Sequence, residues 1–249
     1  MTSSVHPEPA SAARAAFCAP RFSAVVLAAG RGARMGGEKL LTPLCGRTLL
    51  AWVVTHLRRA GAHPIHVIIR PRDEGLRAEV RALGDLVVHR AETRLNGTTC
   101  RAALDAFVGG AALVMGDHLI RPAALATVVR TGILYGGGVV GVDRRVERCP
   151  DLSDATKVEL EGELVLRLGK RLPRFDALDT GVFYLGDAFR DVLAYRTRGG
   201  AEVTLTALLN QLATSSAVRA VDLSPHPWLD VDESWLIPFA ERWLRGAEK

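Results

Sequence analysis

Several separated stretches of the chain have residue types suited to handling phosphate. The first is LAAGRGARMGGEKLL (27–41), where an apolar run passes straight into a loop carrying Gly30, Gly32, Gly36 and Gly37. Without Cβ atoms, such a loop lets successive N–H groups converge on phosphate oxygens, and Arg34 and Lys39 add full positive charges for a triphosphate. At ~4 Å and an effective dielectric of ~20, each such contact is worth about 4 kcal/mol before desolvation. The same residues would also suit a plain strand-to-helix turn with surface cations. Two rival phosphate loops fit poorly. The Walker pattern is absent, and a dinucleotide fingerprint fails because Gly36 comes one position late. The next strand also ends in Arg70-Pro71 rather than an acidic ribose ligand, although Arg70 leaves a 2′-phosphate formally open.

The second stretch is VMGDH (114–118), which sets Asp117 at the C-terminal end of an apolar run, where open α/β sheets bind ligands. A third, WLDVD (228–232), carries Asp230 and Asp232 just before the last helical pattern. Magnesium keeps several waters and takes one or two protein carboxylates, so Asp117 with Asp230 would suffice. The structural alternative is that Asp117 caps a turn and Asp232 the final helix, and for Asp232 capping is the preferred reading. In DATKV (154–158), Lys157 opens a strand and would point a cation at a second phosphate, or be a solvated edge charge. In RLNGTT (94–99), Asn96-Gly97 precedes a helical pattern, and Thr98 and Thr99 suit either capping it or hydrogen-bonding a base. His63 and His66, spaced HxxH at a strand entry, are read as turn and core residues, with no metal role.

The elements that must position these residues follow from apolar patterning. Runs at 22–29, 64–70, 85–89, 111–116 and 136–142 alternate with helical patterns over 48–60 and near 74–83, 98–108 and 122–132. Fully apolar strands alternating with helices predict a parallel, Rossmann-like sheet covered on both faces. Leu49, Trp52, Val53 and Leu57 share one face of the first helix, which stops at Gly61. The second half changes character. KVELEGELVLRL (157–168) alternates on both sides of Glu161-Gly162, predicting a tight antiparallel hairpin and hence a mixed sheet. DTGVFYLG (179–186) gives a further strand, and Trp235, Leu236, Phe239, Ala240, Trp243 and Leu244 a C-terminal amphipathic helix.

Bulk properties narrow the class. With 249 residues and 48% hydrophobic content, the chain suits one α/β domain over 21–249. Residues 1–20, rich in Ser, Ala and Pro, lack the apolar run of a secretory signal and read as a flexible tail. No run reaches the roughly 18 apolar residues of a membrane span. Four dispersed cysteines form no CxxC pair, which argues against zinc and points to the reducing cytoplasm. The net charge of +5 comes from scattered Arg residues without interleaved aromatics, favouring a phosphate-rich small substrate over nucleic acid. The hairpin of the second half is a plausible homodimer contact.

Taken together, the glycine loop, GDH, DATKV, DTGVF and WLDVD resemble the sugar-phosphate nucleotidyltransferases of the MobA-like superfamily, over roughly 22–245. The order of the later motifs selects the CTP:inositol-1-phosphate cytidylyltransferase branch. The resemblance implies a GT-A-like fold in which Leu27, Ala28, Ala29, Gly30 and Gly32 hold the nucleotide, with Arg34 and Lys39 on its phosphates. It also implies Asn96, Gly97, Thr98 and Thr99 near the base, and magnesium held by Asp117 and Asp230, with Asp232 as a further candidate. His118, Lys157, Asp179 and Thr180 would face the phosphorylated acceptor. Two departures, Glu38 in place of a common Pro and Asp154 in place of Glu, loosen the inference to one acceptor, leaving a phosphonate, phosphocholine or hexose 1-phosphate open. A catalytically silent nucleotide-binding regulator is the alternative of another class. Some relatives fuse this domain to a membrane transferase, which here is expected as a separate enzyme.

Overall fold

The computed structural model describes residues 21–30, 32, 35, 38–149, 151–215, 217–224 and 226–246. The tail expected over 1–20 lies outside them. The chain begins with β1 (Phe22–Leu27), a 3-10 turn at Lys39–Leu41 and a small hairpin of β2 (Pro43–Leu44) and β3 (Arg47–Thr48). It continues with α1 (Leu49–Arg59), β4 (Ala62–Ile69), α2 (Glu74–Leu83), β5 (Leu86–Arg90) and α3 (Asn96–Cys100). After a 3-10 stretch at Arg101–Phe107 come β6 (Ala111–Met115), β7 (His118–Ile120), α4 (Pro122–Tyr135) and β8 (Gly138–Asp143). The second half contains β9 (Lys157–Glu161), β10 (Leu164–Gly169), β11 (Ala177–Leu185), α5 (Asp187–Arg196) and α6 (Leu205–Ala213). The chain ends through β12 (Val218–Asp222), β13 (Trp228–Asp230) and α7 (Ile237–Arg245).

Among the described residues, nine strands form one sheet in the order β5-β4-β1-β6-β11-β8-β12-β10-β9. β5, β4, β1 and β6 run parallel, β11 runs against both β6 and β8, and β12 runs parallel to β8. Strand alternation sorts the core into two faces. Ala24, Val26, Val67 and Ile69 pack under α1, α2 and α4, whereas Val25, Ile68, Leu113 and Phe183 pack under Phe107, α5 and α6. Both faces are thus covered, which is why the first strands read as unbroken apolar runs.

Three expectations need correction. The helix expected near 98–108 is a five-residue α-turn followed by a 3-10 stretch, with Ala103 off helical geometry at φ −119°, ψ 35°. The first turn there is tied to another segment: Thr98 N donates to Val203 O at 2.9 Å, and Asn96 Oδ1 accepts from Leu205 N at 2.9 Å. The hairpin turns at Gly162-Glu163, one residue later than expected, because Glu161 still pairs with Leu164. The apolar residues of the last helix do not share one buried face: Ala240 and Leu244 pack with Leu44, Leu49, Trp52, Leu119 and Val231, while Trp235 and Phe239 are about half exposed. α1 is accordingly buried on two sides, with Val53 and Leu57 on the sheet and Leu49 and Trp52 toward α7. Thr48 caps it by accepting from Ala51 N at 3.0 Å.

Candidate active site

The parallel strands end at one edge of the sheet, and that edge gathers segments from the whole chain. At the end of β1, Ala28 N donates to Ile68 O at 2.9 Å, and Gly116 N donates to Leu27 O at 3.0 Å. Leu27, Ala28, Ala29 and Gly30 therefore lie beside the exits of β4 and β6, and Gly30 is exposed. Gly32 follows in the loop, whereas Arg34, Gly36 and Gly37 fall outside the described residues. Lys39 opens the 3-10 turn, which is closed by Leu41 N donating to Glu38 O at 2.8 Å.

The acidic residues are brought in by a short ladder. β13 pairs antiparallel with β7, setting Asp230 opposite His118, and Val231 N extends the ladder to Asp117 O at 3.1 Å. Asp117 and Asp230 thereby become neighbours although more than a hundred residues separate them. Lys39 Nζ completes the group, donating to Asp117 Oδ2 at 2.7 Å and to Asp232, with Asp230 Oδ1 3.8 Å away. His118 Nδ1 lies 2.8 Å from Asp117 Oδ1 and 3.7 Å from Asp230 Oδ1.

Burial makes these charges depend on one another. Burial alone would lower the pKa of the Lys39 ammonium, but Asp117 and Asp230, with the hydrogen bonds to Asp117 and Asp232, hold it above its ordinary value. Burial works to raise Asp117, yet the bond and charge of His118 and the charge of Lys39 keep it well below the usual carboxylate range. Asp230 is raised, by burial first and by Asp117 and Asp232, against the pull of His118 and Lys39. His118 overcomes its burial through Asp230 and Asp117, which raise it to about 9.

The donor set suits a hard divalent ion. Ligand atoms of Asp117, His118 and Asp230 lie within 4.8 Å of one another, and the buried Asp230 Oδ1 has no hydrogen-bond partner among the described residues. Two carboxylates in that position match magnesium's preference for oxygen. Asp232, which reads from sequence as a cap or a ligand, does not cap the final helix with its side chain; it bonds Lys39.

A cavity of about 740 Å³ opens from this cluster, lined by His118, Asp179, Trp228, Asp230 and Asp232 on the acidic side. Asp179 stands at a bulge of β11, its Oδ1 accepting from Gly181 N at 2.8 Å, and burial raises it to about 6 against that bond and His118. The bulge needs Gly181: its φ is +73°, and a Cβ there would lie 2.6 Å from His118 Cδ2.

Four residues expected to contact ligands are committed to the fold instead. Thr180 is fully buried and donates to Gly141 O at 2.8 Å. Lys157 is buried, and its Nζ donates to the carbonyls of Leu152 at 2.6 Å, Lys170 at 2.8 Å and Ala155 at 3.3 Å. These bonds occupy all three donors of the ammonium and tie the 151–156 loop to the end of β10, and Lys157 is not among the residues lining the cavity. Thr98 Oγ1 accepts from Val203 N at 2.7 Å, and Thr99 Oγ1 bonds Thr93 Oγ1 at 2.6 Å and Leu95 O at 3.1 Å. Of the segment 96–99, Asn96 alone lines the cavity. Gly97 allows the close approach, since a Cβ would lie 2.5 Å from the Thr204 carbonyl carbon.

The structure also reveals residues that sequence reading missed. Asp143, at the end of β8, accepts from Arg145 N at 2.9 Å, Arg145 Nε at 3.0 Å, Arg145 Nη2 at 2.7 Å and Trp228 Nε1 at 2.9 Å. Burial would raise Asp143, but the Arg145 and Trp228 bonds hold it at about 2. The Trp228 ring stacks on His118, with centroids 5.9 Å apart and planes at 14°. The signal available was VDRR (142–145), an acid ending an apolar strand just as Asp117 follows β6.

Comparison with known proteins follows the same lines. A family model described as the MobA-like NTP transferase domain matches residues 24–216. A bifunctional IPC transferase and DIPP synthase of Rubrobacter xylanophilus is 34% identical over 232 residues, spanning 90% of this chain and 52% of that protein. The protein of the same name from Thermococcus kodakarensis is 31% identical over 227 residues, spanning 89% and 50%. The chain thus spans about half the length of these curated relatives. Among solved structures, the inositol-1-phosphate CTP transferase from T. maritima superposes with a TM-score of 0.72 at 20% identity, covering 90% of this chain and 96% of that one. A UDP-glucose pyrophosphorylase complexed with UDP-glucose gives 0.73 at 15% identity, covering 91% and 99%. At such identities these likenesses establish the nucleotidyltransferase Rossmann-like fold.

Proposed function

The chain belongs to the MobA-like NTP transferase family, and we propose that it is a cytidylyltransferase that transfers CMP from CTP to inositol 1-phosphate, giving CDP-inositol and pyrophosphate. The observation that carries this reading is the meeting of Lys39 with Asp117, Asp230 and Asp232, across 78 and 193 positions of sequence, beside a cavity that Asp230 and Asp232 line. The choice of CTP and inositol 1-phosphate is supported by the order of GDH, DATKV, DTGVF and WLDVD, by the IPC-transferase relatives, and by the fold shared with the inositol-1-phosphate CTP transferase.

In the reaction, an acceptor phosphate oxygen forms a bond to the α-phosphorus, and the bond from that phosphorus to the bridging oxygen breaks in line. Pyrophosphate leaves with the electron pair. The acceptor is already an anion at neutral pH, so no protein nucleophile is needed and the work is positioning and charge neutralisation. Asp117 and Asp230 would hold magnesium, which when bound supplies positive charge to the polyphosphate. Lys39 brings an ammonium to the same place, and its carboxylate neighbours keep it protonated. His118, braced by Asp117, sets the boundary between this cluster and the acceptor cavity. The main chain at 27–30 lies where the nucleotide phosphates would pass. The four dispersed cysteines, with no CxxC pair, support placing the reaction in the reducing cytoplasm.

The test is pyrophosphate release with each of the four common ribonucleoside triphosphates against inositol 1-phosphate, phosphocholine, a phosphonate and a hexose 1-phosphate, in magnesium. Rapid release with CTP and inositol 1-phosphate is expected. Release with a different acceptor alone would overturn the inositol assignment, and no release with any pair would overturn the transferase reading.

A further inference from the structure

The acceptor phosphate must reach the α-phosphorus beside Lys39 and the metal carboxylates, and a cation on the acceptor side of the cavity is needed to offset Asp179, Asp230 and Asp232, which line it. Lys157 is not that cation, since its ammonium is enclosed by the carbonyls of Leu152, Ala155 and Lys170. Three cationic residues do line the cavity, Arg145, Arg148 and Lys170. Lys170 is paired with Asp154. The Arg148 side chain is 69% exposed, and its ion pair with Glu147, at 4.0 Å, is on the surface. Arg145 differs from both, being only 26% exposed and fixed to buried Asp143.

The geometry points to Arg145 as the residue that binds the phosphate monoester of the acceptor, held in place by Asp143 and Trp228; this rests on the nucleotidyltransferase reading above. Asp143 takes the Nε and one Nη2 hydrogen of the guanidinium. Among the described residues Nη1 makes no hydrogen bond, so the second edge of the fork remains for an oxyanion, in the planar geometry that phosphate accepts bidentately. Asp143 is itself oriented by Trp228 Nε1, and Trp228 lies on His118, which bonds Asp117. The acceptor's anchor and the cation cluster are therefore joined through four consecutive side-chain contacts. Asp143 offsets part of the charge of Arg145, which leaves a directional donor rather than a strong field. The contact is made equally in ground and transition states, so its loss appears in the acceptor KM.

The experiment uses the full chain with Arg145→Gln and, to keep the charge, Arg145→Lys. Initial rates are measured with acceptor varied at saturating CTP, and with CTP varied at saturating acceptor. Arg145→Gln is expected to raise the acceptor KM about tenfold or more, the scale of one charge-assisted contact, with the CTP KM changed by less than about twofold. Arg145→Lys is expected to recover part of that loss. Binding of inorganic phosphate is followed in parallel by calorimetry, which needs no turnover, and is expected to weaken about tenfold in Arg145→Gln. An unchanged acceptor KM, an equal rise in the CTP KM, or unaltered phosphate binding in folded Arg145→Gln overturns the assignment. Wild-type protein that binds phosphate through Arg145 but releases no pyrophosphate would sink the transferase reading alone.

Discussion

Lys39 is nearly enclosed, with an ammonium set among three carboxylates, so its replacement acts on both chemistry and fold. Lys39→Ala is expected to lower kcat by about 10²–10³-fold, the scale of losing one fixed charge at a developing anion. The melting temperature should also fall, because the remaining carboxylates repel, and magnesium should restore part of it; turnover near wild type would remove Lys39 from the mechanism. Lys157 gives the opposite expectation. Lys157→Met removes the buried donor shared by the carbonyls of Leu152, Ala155 and Lys170 and should cost about 1–3 kcal/mol in urea unfolding, with kcat much less affected than in Lys39→Ala. A third residue sets acid stability. His56, wedged between Trp52 and Trp243 with ring centroids 5.9 and 5.7 Å away, is lowered to about 4 by burial and by the charges of Arg121 and Arg59. Its folded pKa is below its unfolded value, so the unfolded chain binds the extra proton and stability falls as pH drops from about 6.5 to 4. The full loss is about 3 kcal/mol, and His56→Leu should flatten the unfolding free energy by that order across this window. An unchanged slope would show that other groups carry the acid sensitivity.

Among the elements, those whose signal is local were legible in the sequence, and those made by distant pairing were not. β1, β4 and β6 were visible because strands buried on both faces are apolar throughout, and the hairpin of β9 and β10 because its alternation breaks at a glycine. The pairing of β7 with β13 was invisible, since three-residue strands have no periodicity to read and their partners are far apart in the chain. Lys39, Asp117 and Asp230 were nonetheless nameable, because a glycine loop after a strand and an acid at a strand's end are local patterns. Asp143 and Arg145 carry the same local pattern, but only the fold shows that Trp228 bonds Asp143. The choice left open for Thr98 has the same origin: its partner, Val203, comes from the segment leading into α6, whereas Thr99 bonds the nearby Leu95 and Thr93. The docking of that segment on α3 yields a test. Gly97→Ala should destabilise the chain by about 3 kcal/mol, at the upper end of overpacking, because its Cβ would meet main chain that cannot rotate away. A melting temperature within a degree or so of wild type would mean that the 203–205 segment gives way freely.

At the scale of the whole molecule, the cluster joins segments near both ends of the described chain, Lys39 before α1 and Asp230 before α7. A ligand bridging them should stabilise the fold by mass action, about 2.7 kcal/mol at a hundred times Kd. CTP with magnesium should therefore slow hydrogen exchange in both 38–41 and 228–232, and protection of one segment without the other would mean that they do not share the ligand. The direction of β11 has a wider consequence. The parallel strands present residues as they leave the sheet, whereas β11 presents Asp179 as it enters, and the 144–176 region before it builds the far wall around Arg145, Arg148 and Lys170. On the proposed reading, one excursion supplies much of the enclosure for the recipient while Trp228, next to the metal carboxylates, serves both ends, so a lineage could alter its choice of alcohol by remodelling that excursion provided the tryptophan's two contacts survive.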